Sequence, residues 1–149
     1  ILDSGSDFDT SMAPDEAGLS RFVDKDKKYF IGYEALKKRY TGNRIHGMLA
    51  RSYTPKGGDF IHDGKNIMGY VTTGTYSPEF NAGIGYVRFN LAEDHIGNKY
   101  YIGNFDSSKH TCTMIALPFY DKNKKKTKMA KLDLQESITL DITKKTGMN

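Results

Sequence analysis

Residues 15–36 read DEAGLSRFVDKDKKYFIGYEAL, and this stretch separates two unlike parts of the chain. It contains a short apolar cluster at 19–23 and a charged run at 24–28, and it ends in the compact helix start YEAL, which continues with Lys37 and Lys38. This pattern predicts a short strand, a solvated turn and then a helix over residues 33–40. Because the later segments are rich in strand-forming residues, we expect this strand-turn-helix segment to pack against a sheet.

Six later segments have the features of antiparallel strands. The chain has 10 Tyr, 8 Phe and 15 Gly but only 4 Pro, a composition that favours a sheet with many tight turns over a helical bundle. Asp63-Gly64 marks a hairpin turn, and Pro78 ends a strand because proline cannot donate to the strand ladder. The predicted strands cover residues 44–52, 60–61, 66–76, 83–91, 99–105 and 110–117. The predicted fold is therefore mainly β, a six-stranded antiparallel barrel of jelly-roll or Greek-key type preceded by the strand-turn-helix segment.

The length and the cysteine content limit the class of protein. A chain of 149 residues, of which 38% are hydrophobic, can bury one core but hardly two. No run reaches the length of a transmembrane helix, and the first residues do not resemble a signal peptide. The single cysteine, Cys112, allows no internal disulfide, which is typical of a reducing compartment and predicts a cytoplasmic location. Without metal-ligand spacing around it, Cys112 is expected to be a small buried residue.

The net charge of +4 is concentrated in the last part of the chain. Residues 1–120 contain 14 Lys and Arg against 14 Asp and Glu, whereas residues 121–149 contain 8 Lys against 4 acids. A basic tail can attract nucleic acid or an anionic membrane, but a solvated loose end has the same composition. Because no aromatic residues are interleaved with these lysines, nucleic acid is not favoured as a partner, and no membrane partner is expected. Residues 132–142 alternate well enough for one more strand, with a helix left as the alternative.

The search for motifs that carry chemistry gives no catalytic or metal-binding pattern. The four histidines are His46, His62, His95 and His110. They are scattered and lack the paired spacing of metal ligands. Three acidic residues lie close together, at Asp3, Asp7 and Asp9. Their Ser and Gly neighbours favour the capping of turns over the binding of a metal, so no metal ligand is assigned.

Three stretches of the chain resemble the C-terminal third of the glycine cleavage T-protein, an aminomethyltransferase. They are EAGL followed by FV and FIGYEAL in the opening stretch, GYVTTGTYSPEFNAGIGYV at 69–87, and LPFYD at 117–121. The matches occur in the order and with about the spacing of that family. The EAGL and Phe-Val pair also resembles the T-like domains that end dimethylglycine and sarcosine dehydrogenases, and those of folate-dependent demethylases.

The resemblance implies a division of the chain and a function for its parent enzyme. Residues 1–43 would be the end of a folate-binding lobe, 44–121 the C-terminal antiparallel barrel, and 122–149 a basic tail. The enzyme would transfer a one-carbon unit from an amine or methylated donor to tetrahydrofolate. The family's catalytic Asp lies upstream of this stretch, so no catalytic residue is assigned here. The implied partners are the N-terminal folate-binding lobes of the same enzyme and a lipoyl carrier protein.

Two arginines are predicted to line the edge of the folate and substrate pocket. Arg21 stands where T-proteins commonly have a Trp beside the pterin, and Arg44 lies close to an Arg that contacts the folate tail. A guanidinium does not fill the apolar space of an indole, so Arg21 puts specificity for glycine cleavage in doubt. In the same stretch Phe30, Ile31 and Leu36 are predicted to be structural residues that bury one helix turn against the barrel.

Two alternatives to this function stay open from the sequence. The chain could be a non-catalytic binding or scaffold barrel that uses its basic tail, or the folate end of a flavin-dependent dehydrogenase. The first residue is Ile rather than Met, which suggests a piece of a longer enzyme. The full open reading frame distinguishes the alternatives, because an upstream folate-binding lobe supports the enzyme and a long Rossmann segment supports the dehydrogenase.

Overall fold

The computed structural model describes residues 2–24, 26–27, 29–39, 42–103, 105 and 110–121. Ile1–Leu117 form a compact unit that contains every helix and strand given below. Of the second unit, Pro118–Asn149, the structure describes residues 118–121, which contain no helix or strand. The extra strand predicted at 132–142 and the basic tail lie outside the described residues.

Six antiparallel strands close into a barrel, as predicted. They are β1 (Ile45–Ala50), β2 (Phe60–His62), β3 (Ile67–Ser77), β4 (Ala82–Phe89), β5 (Lys99–Ile102) and β6 (His110–Ile115). The order around the barrel is β1-β4-β3-β2-β5-β6, and β6 pairs with β1 to close it. Hairpins join β2 to β3 and β3 to β4, while β1 lies beside β4 and reaches β2 through a long connection. This arrangement is a Greek key, in agreement with the predicted topology.

The segment before the barrel contains two short helices rather than a strand and a helix. The α-helix α1 covers Tyr33–Lys38, close to its predicted bounds, and Gly32 caps its start with a φ of 92°. Ser20–Phe22 form a 3-10 helix, so the strand expected at 19–23 is wrong. Its backbone groups are satisfied locally, because Phe22 N–H donates to the Leu19 carbonyl at 3.0 Å. A segment whose donors find acceptors three residues away has no need of a partner strand.

The barrel core is built from the inward side chains of all six strands. On β4 the alternate residues from Gly83 to Phe89 are buried, while the residues between them are only half-buried. The buried core residues are Met48, Ala50, Ile61, Val71, Val87, Phe89, Tyr100, Ile102, Cys112 and Met114. The prediction that Cys112 is a small buried residue is confirmed.

One end of the barrel is closed by the long connection from β1 to β2. Pro55, which is buried, lies against glycines of β3 and β4. A Cβ on Gly83 would overlap the carbonyl oxygen of Tyr53 and lie 2.5 Å from Cδ of Pro55. A Cβ on Gly74 would overlap the backbone of Pro55. Glycine is therefore needed here for the close approach of two backbones.

The opposite end is closed by the connection between β4 and β5. The ring of His95 stacks on Phe89 at 3.6 Å between centroids and 12° between planes. His46, at the start of β1, contacts the same phenylalanine edge to face at 5.4 Å. Both connections thus place a buried side chain across an end of the barrel.

Candidate functional site

The segment before β1 is fastened to the barrel by a buried carboxylate. Asp7 is 1% exposed and accepts hydrogen bonds from the hydroxyls of Thr72 and Thr73 and from the backbone N–H of Asp3. The two threonines lie on β3, where the register with β4 shifts between Val71 and Thr73. The irregular strand brings both hydroxyls to one carboxylate oxygen, so Asp7 positions the start of the chain on β3.

A second fastening joins Glu16 to the start of β1. The backbone N–H of Arg44 donates to the Glu16 carbonyl at 2.8 Å, and Nη1 of Arg44 lies 3.2 Å from Oε1 of Glu16. Nε of Arg44 also donates to the Phe89 carbonyl at 2.8 Å. Oε2 of Glu16 accepts from the Ala13 N–H at 2.7 Å and lies 3.6 Å from Nη2 of Arg39. Both carboxylate oxygens of Glu16 are therefore paired.

The charge of Glu16 is stabilised despite its burial. Burial by itself raises the pKa of the Glu16 carboxyl, but hydrogen bonds from Ala13 and Arg44 and the charges of Arg44 and Arg39 outweigh it and lower the pKa below its usual range. The cause is direct pairing of the ionised form. Glu16 is thus an ionised anchor rather than a proton donor at neutral pH.

A third fastening is more exposed. Nη1 of Arg88, on β4, lies 3.1 Å from Oδ2 of Asp9, and Nη2 of Arg88 donates to the Ser11 hydroxyl at 3.1 Å. Oδ1 of Asp9 accepts from the Ser11 N–H at 2.7 Å, the turn-capping role expected for this residue. The hydrogen bonds from the Ser11 hydroxyl and N–H, followed by those from Arg88, lower the pKa of Asp9 to about 2.

The two predicted pocket residues occupy different environments. Arg44 is only a quarter exposed, and its guanidinium is committed to Glu16 and Phe89. Arg21 is exposed, and its guanidinium carbon lies 4.8 Å above the ring of Phe22, which is itself 71% exposed. Among the residues that the structure describes, Arg21 makes no ion pair. Arg21 is thus available to a ligand, whereas Arg44 has a structural role in this chain.

A groove lies between the 3-10 helix and α1. Its volume is about 300 Å³, and most of its lining is apolar. The lining residues are Pro14, Asp15, Ser20, Val23, Phe30, Tyr33, Leu36 and Lys37. Arg21 and Phe22 lie in the chain between two of these residues, Ser20 and Val23, and are not themselves in the lining.

The burial predicted for Phe30, Ile31 and Leu36 is found only in part. Phe30 and Leu36 are half-buried in the groove lining, whereas Ile31 is fully exposed, so the prediction that Ile31 is buried is wrong. Ile31 lies in the turn before α1 and not on the helix face. No residue of α1 is buried. The apolar face of this segment is therefore open on the described part of the chain.

The described residues offer limited chemistry of their own. Across residues 2–121, apart from the undescribed positions, no three His, Cys, Asp or Glu side chains are grouped so as to hold a metal. Burial raises the pKa of the Cys112 thiol to about 12, which keeps it protonated and unreactive. Within the same residues, no helix is long and apolar enough to cross a bilayer. The cytoplasmic location remains a prediction.

Sequence reasoning missed the roles of Asp7 and Glu16. Asp7 was grouped with two other acids as a turn cap, and nothing local distinguishes it from Asp3 or Asp9. Glu16 lies in the EAGL stretch, where Ala17 beside it and Leu19 signal burial. A charged residue in a buried stretch requires a partner, and that rule was the available signal for Glu16.

A known protein family matches the part of the chain that forms the barrel. The family described as "Glycine cleavage T-protein C-terminal barrel domain" matches residues 43–121. The chain is 33% identical over 141 residues to an aminomethyltransferase of Thermosipho melanesiensis, a match that covers 85% of this chain and 36% of that protein. It is 32% identical over 96 residues to an aminomethyltransferase of Aquifex aeolicus, covering 64% of this chain and 27% of that protein.

Two further similarities extend the comparison. A trimethylamine-oxide aldolase of Ruegeria pomeroyi is 29% identical over 133 residues, a match that covers 86% of this chain and 17% of the aldolase. The crystal structure of glycine cleavage system aminomethyltransferase T from Bartonella henselae has the same fold, with a TM-score of 0.68 at 22% identity over 82% of this chain and 36% of that one. The chain thus spans roughly a third or less of the length of these proteins.

Proposed function

The chain belongs to the glycine cleavage T-protein family, and from this we propose that its full-length protein transfers a one-carbon unit from an amine or methylated donor to tetrahydrofolate. The match of the family's C-terminal barrel to residues 43–121 carries the proposal. Aminomethyltransferases that are similar over 85% of this chain support it. The barrel belongs to a larger aminomethyltransferase-type protein, and the substrate chemistry is proposed for that whole protein.

The upstream folate-binding lobes are the proposed partners of the segment before the barrel. Phe22, Tyr29 and Ile31 are 71%, 90% and 105% exposed, and in the chain they are next to Val23 and Phe30, which line the apolar groove. Exposed apolar side chains grouped in this way mark a surface that another part of a protein covers. The lengths of the relatives support an upstream occupant, because this chain accounts for 36% of the Thermosipho melanesiensis protein. Residues 1–43 would then complete a lobe whose remainder lies upstream.

Arg21 is the residue of this segment that we place at the edge of the folate pocket. Arg21 is exposed, makes no described ion pair and directly follows Ser20, which lines the groove. A guanidinium presents several donors in one plane and suits a carboxylate of the folate or of the donor. Arg44 was also assigned to this edge, but its donors already serve Glu16 and Phe89. Its proposed contribution to the pocket is indirect, through the position of the segment that carries Arg21.

The chemistry would rest on placement and exclusion of water. Holding the donor carbon against the folate nitrogens replaces a bimolecular encounter by an oriented one. A wall that is largely apolar removes water that would hydrolyse a reactive one-carbon unit. The described residues supply such a wall. Asp15, Tyr33 and Lys37 also line the groove, and we assign them no role in proton transfer. The family resemblance places the catalytic Asp upstream of this chain.

A methylated amine is a second candidate donor. The similarity to the trimethylamine-oxide aldolase over 86% of this chain favours it, as does the Phe-Val pair shared in the predicted resemblance to demethylases. An aminomethyl group on a lipoyl carrier protein remains the first candidate, because the matched aminomethyltransferases cover most of the chain. The two donors differ in size and charge, and they can be tested separately.

The test uses the full-length protein that contains this chain. Purified enzyme is supplied with tetrahydrofolate and one of two donors. With an aminomethyl-lipoyl carrier protein methylene-tetrahydrofolate is measured, and with an N-methylated amine methyl-tetrahydrofolate is measured, because no oxidant is present to convert a methyl group to a methylene group. We expect product with one donor and none when tetrahydrofolate is omitted. Absence of tetrahydrofolate binding by the folded full-length protein would overturn the proposal in favour of a non-catalytic barrel. A flavin retained during purification, with a long upstream Rossmann segment, would identify the dehydrogenase alternative instead.

A further inference from the structure

A buried pair of histidines closes one end of the barrel. His95 lies in the connection between β4 and β5, is 2% exposed and stacks on Phe89. Its Nδ1 lies 2.8 Å from the hydroxyl of Tyr100, on β5. His46, on β1, is 6% exposed, and its ring is 5.3 Å from that of His95. Two almost fully buried imidazole rings thus hold the connection on the β1 and β4 side, while backbone hydrogen bonds of Gly97 and Asn98 with Met114 hold it to β6.

Each imidazole has a ring nitrogen without a hydrogen-bond partner among the described residues. Nδ1 of His46 and Nε2 of His95 are buried and make no hydrogen bond of normal geometry to that part of the chain. The carbonyl of Arg44 raises the pKa of His46, and that of Leu91 raises the pKa of His95. Burial of the two rings lowers these pKa values by more. A neutral imidazole can leave one nitrogen unprotonated, whereas an imidazolium carries two N–H groups that both require acceptors. Protonation therefore adds an unsatisfied donor to a buried site.

The charges around the pair do not compensate for protonation. Glu93 and Asp94, which are exposed on the same connection, favour the charged form of His95, and Asp94 also favours that of His46. On the strands, the hydroxyl of Tyr100 on β5 is hydrogen-bonded to Nδ1 of His95, and the thiol of Cys112 on β6 stays protonated. The guanidinium at the start of β1 belongs to Arg44, which donates to the Phe89 carbonyl and to Glu16. The two histidines also repel each other when charged.

We propose that the connection from β4 to β5 is a pH-sensitive latch, held across the barrel end by neutral His95 and His46 and released when either ring is protonated. Burial lowers the pKa of both rings, and for His46 the neighbouring His95 lowers it further. In the unfolded or opened connection the rings regain a pKa near 6.5. The opened form therefore binds more protons, and the closed form loses stability as the pH falls below about 6.5.

The primary measurement is amide hydrogen exchange across residues 91–98 of the 149-residue chain. Between pH 7.5 and 5, and after correction for intrinsic exchange, we expect the protection of these amides to fall about tenfold for each pKa unit by which the closed latch depresses one histidine. The amides of the β3–β4 hairpin serve as an internal reference and should keep their protection. A parallel loss of protection in both regions would mean global unfolding and would overturn a local latch.

The matched variants are His95→Gln and His110→Gln. Glutamine can still pair with the Tyr100 hydroxyl but does not titrate, so His95→Gln should remove most of the pH dependence at 91–98. It should also raise the pKa of His46, because it removes a neighbouring ring whose positive charge, once the ring is protonated, would oppose protonation of His46. His110 is only half-buried and stacks on Tyr53, and its replacement should leave the pH dependence of 91–98 unchanged.

A measurement on the unaltered chain keeps the proposal testable if His95→Gln does not fold. Imidazole chemical shifts are followed by NMR from pH 8 to 4. Titration of His46 and His95 well below the ordinary value, together with the loss of protection at 91–98, would support the latch. Titration of both near pH 6.5 with constant protection would show that the closed connection accommodates the charge, and the proposal would be wrong.

Discussion

Nη1 of Arg44 lies 3.2 Å from Oε1 of Glu16, and the backbone N–H of Arg44 donates to the Glu16 carbonyl at 2.8 Å. Two residues 28 positions apart are thus joined through both their side chains and their main chains. Glu16 is almost fully buried and Arg44 three-quarters buried, so the pair is shielded from water and salt. The position of the segment before the barrel, and with it Arg21 and the groove, depends on this contact.

We expect Arg44→Ala to destabilise the chain by about 2–4 kcal/mol, because it leaves Oε1 of Glu16 and the Phe89 carbonyl without the donors that Arg44 supplies. Arg44→Lys should recover part of this loss, since it restores the charge but not the two-donor geometry. Urea unfolding measures both variants. Arg51→Ala, an exposed arginine just after β1, is the control and should change stability by less than about 0.5 kcal/mol. Unaltered stability of Arg44→Ala, with weaker folate binding by the full-length enzyme, would instead place Arg44 in the pocket.

Stability should fall in acid through Glu16 and Asp9. Both carboxyls have a lowered pKa in the folded chain, and that of Asp9 is about 2. The unfolded chain therefore binds more protons, so the stabilisation is present above the ordinary pKa values near 4 and is lost as the pH falls through the folded values. Unfolding free energies from pH 6 to 2 measure the effect. Glu16→Gln should make the free energy of unfolding depend less steeply on pH below about pH 4.5. Glu34→Gln, on the exposed surface of α1, should leave this pH dependence unchanged.

Gly83→Ala should destabilise the chain by about 1–3 kcal/mol or more, because the new Cβ would overlap the Tyr53 carbonyl and crowd Pro55. Gly58→Ala is the matched control. Gly58 has a φ of 92° and nothing within 4 Å of an added Cβ, so it incurs backbone strain of about 1 kcal/mol without a clash. Thermal unfolding of the two variants separates these effects. Equal losses would show that the connection between β1 and β2 moves aside at no cost.

The strands of the barrel were predictable because their causes are local. The alternation of β4, the turn at Asp63-Gly64 and the stop before Pro78 are each visible within a few residues, and the observed strands begin and end within a few positions of the predicted ones. The ends of the barrel were not predictable. Pro55 meets Gly83, and His46 meets His95, only after strands distant in sequence have paired.

The candidate site shows the same division between local and distant causes. Arg21 could be singled out from the apolar residues near it in the chain, and the structure shows that it is exposed. The hydrogen bond from Arg44 to Glu16 could not be predicted from the sequence, because each residue alone is of a type that is common on protein surfaces. The strand expected at 19–23 failed because local hydrogen bonds of a 3-10 turn satisfy that backbone, and hydrophobicity alone does not distinguish the two forms.

The 149-residue chain alone should bind tetrahydrofolate weakly or not at all. The groove between the 3-10 helix and α1 has a volume of about 300 Å³ and forms only one side of the proposed pocket. Tight binding requires a pocket that encloses most of the ligand's surface. Isothermal titration calorimetry at about 100 μM chain should detect no saturable heat. A site tighter than about 1 μM on this chain would mean that the pocket is complete without the upstream lobes.

Arg21→Ala should weaken the binding of folate or donor by the full-length enzyme without changing its thermal stability. The guanidinium contacts the ring of Phe22, itself exposed, and such a cation–π contact contributes about 0.5–1 kcal/mol at most. Loss of a charge-assisted contact to a carboxylate would lower affinity by about tenfold or more. Arg51→Ala, which removes the same charge from an exposed position on the barrel, should leave binding unchanged and so controls for long-range electrostatics. If the planar guanidinium holds the ligand through several hydrogen bonds, Arg21→Lys should have an affinity close to that of Arg21→Ala. If the positive charge alone matters, Arg21→Lys should keep most of the affinity. If Arg21→Ala instead lowers stability by several kcal/mol and leaves binding intact, Arg21 is an anchor for the upstream lobe and not a residue of the pocket.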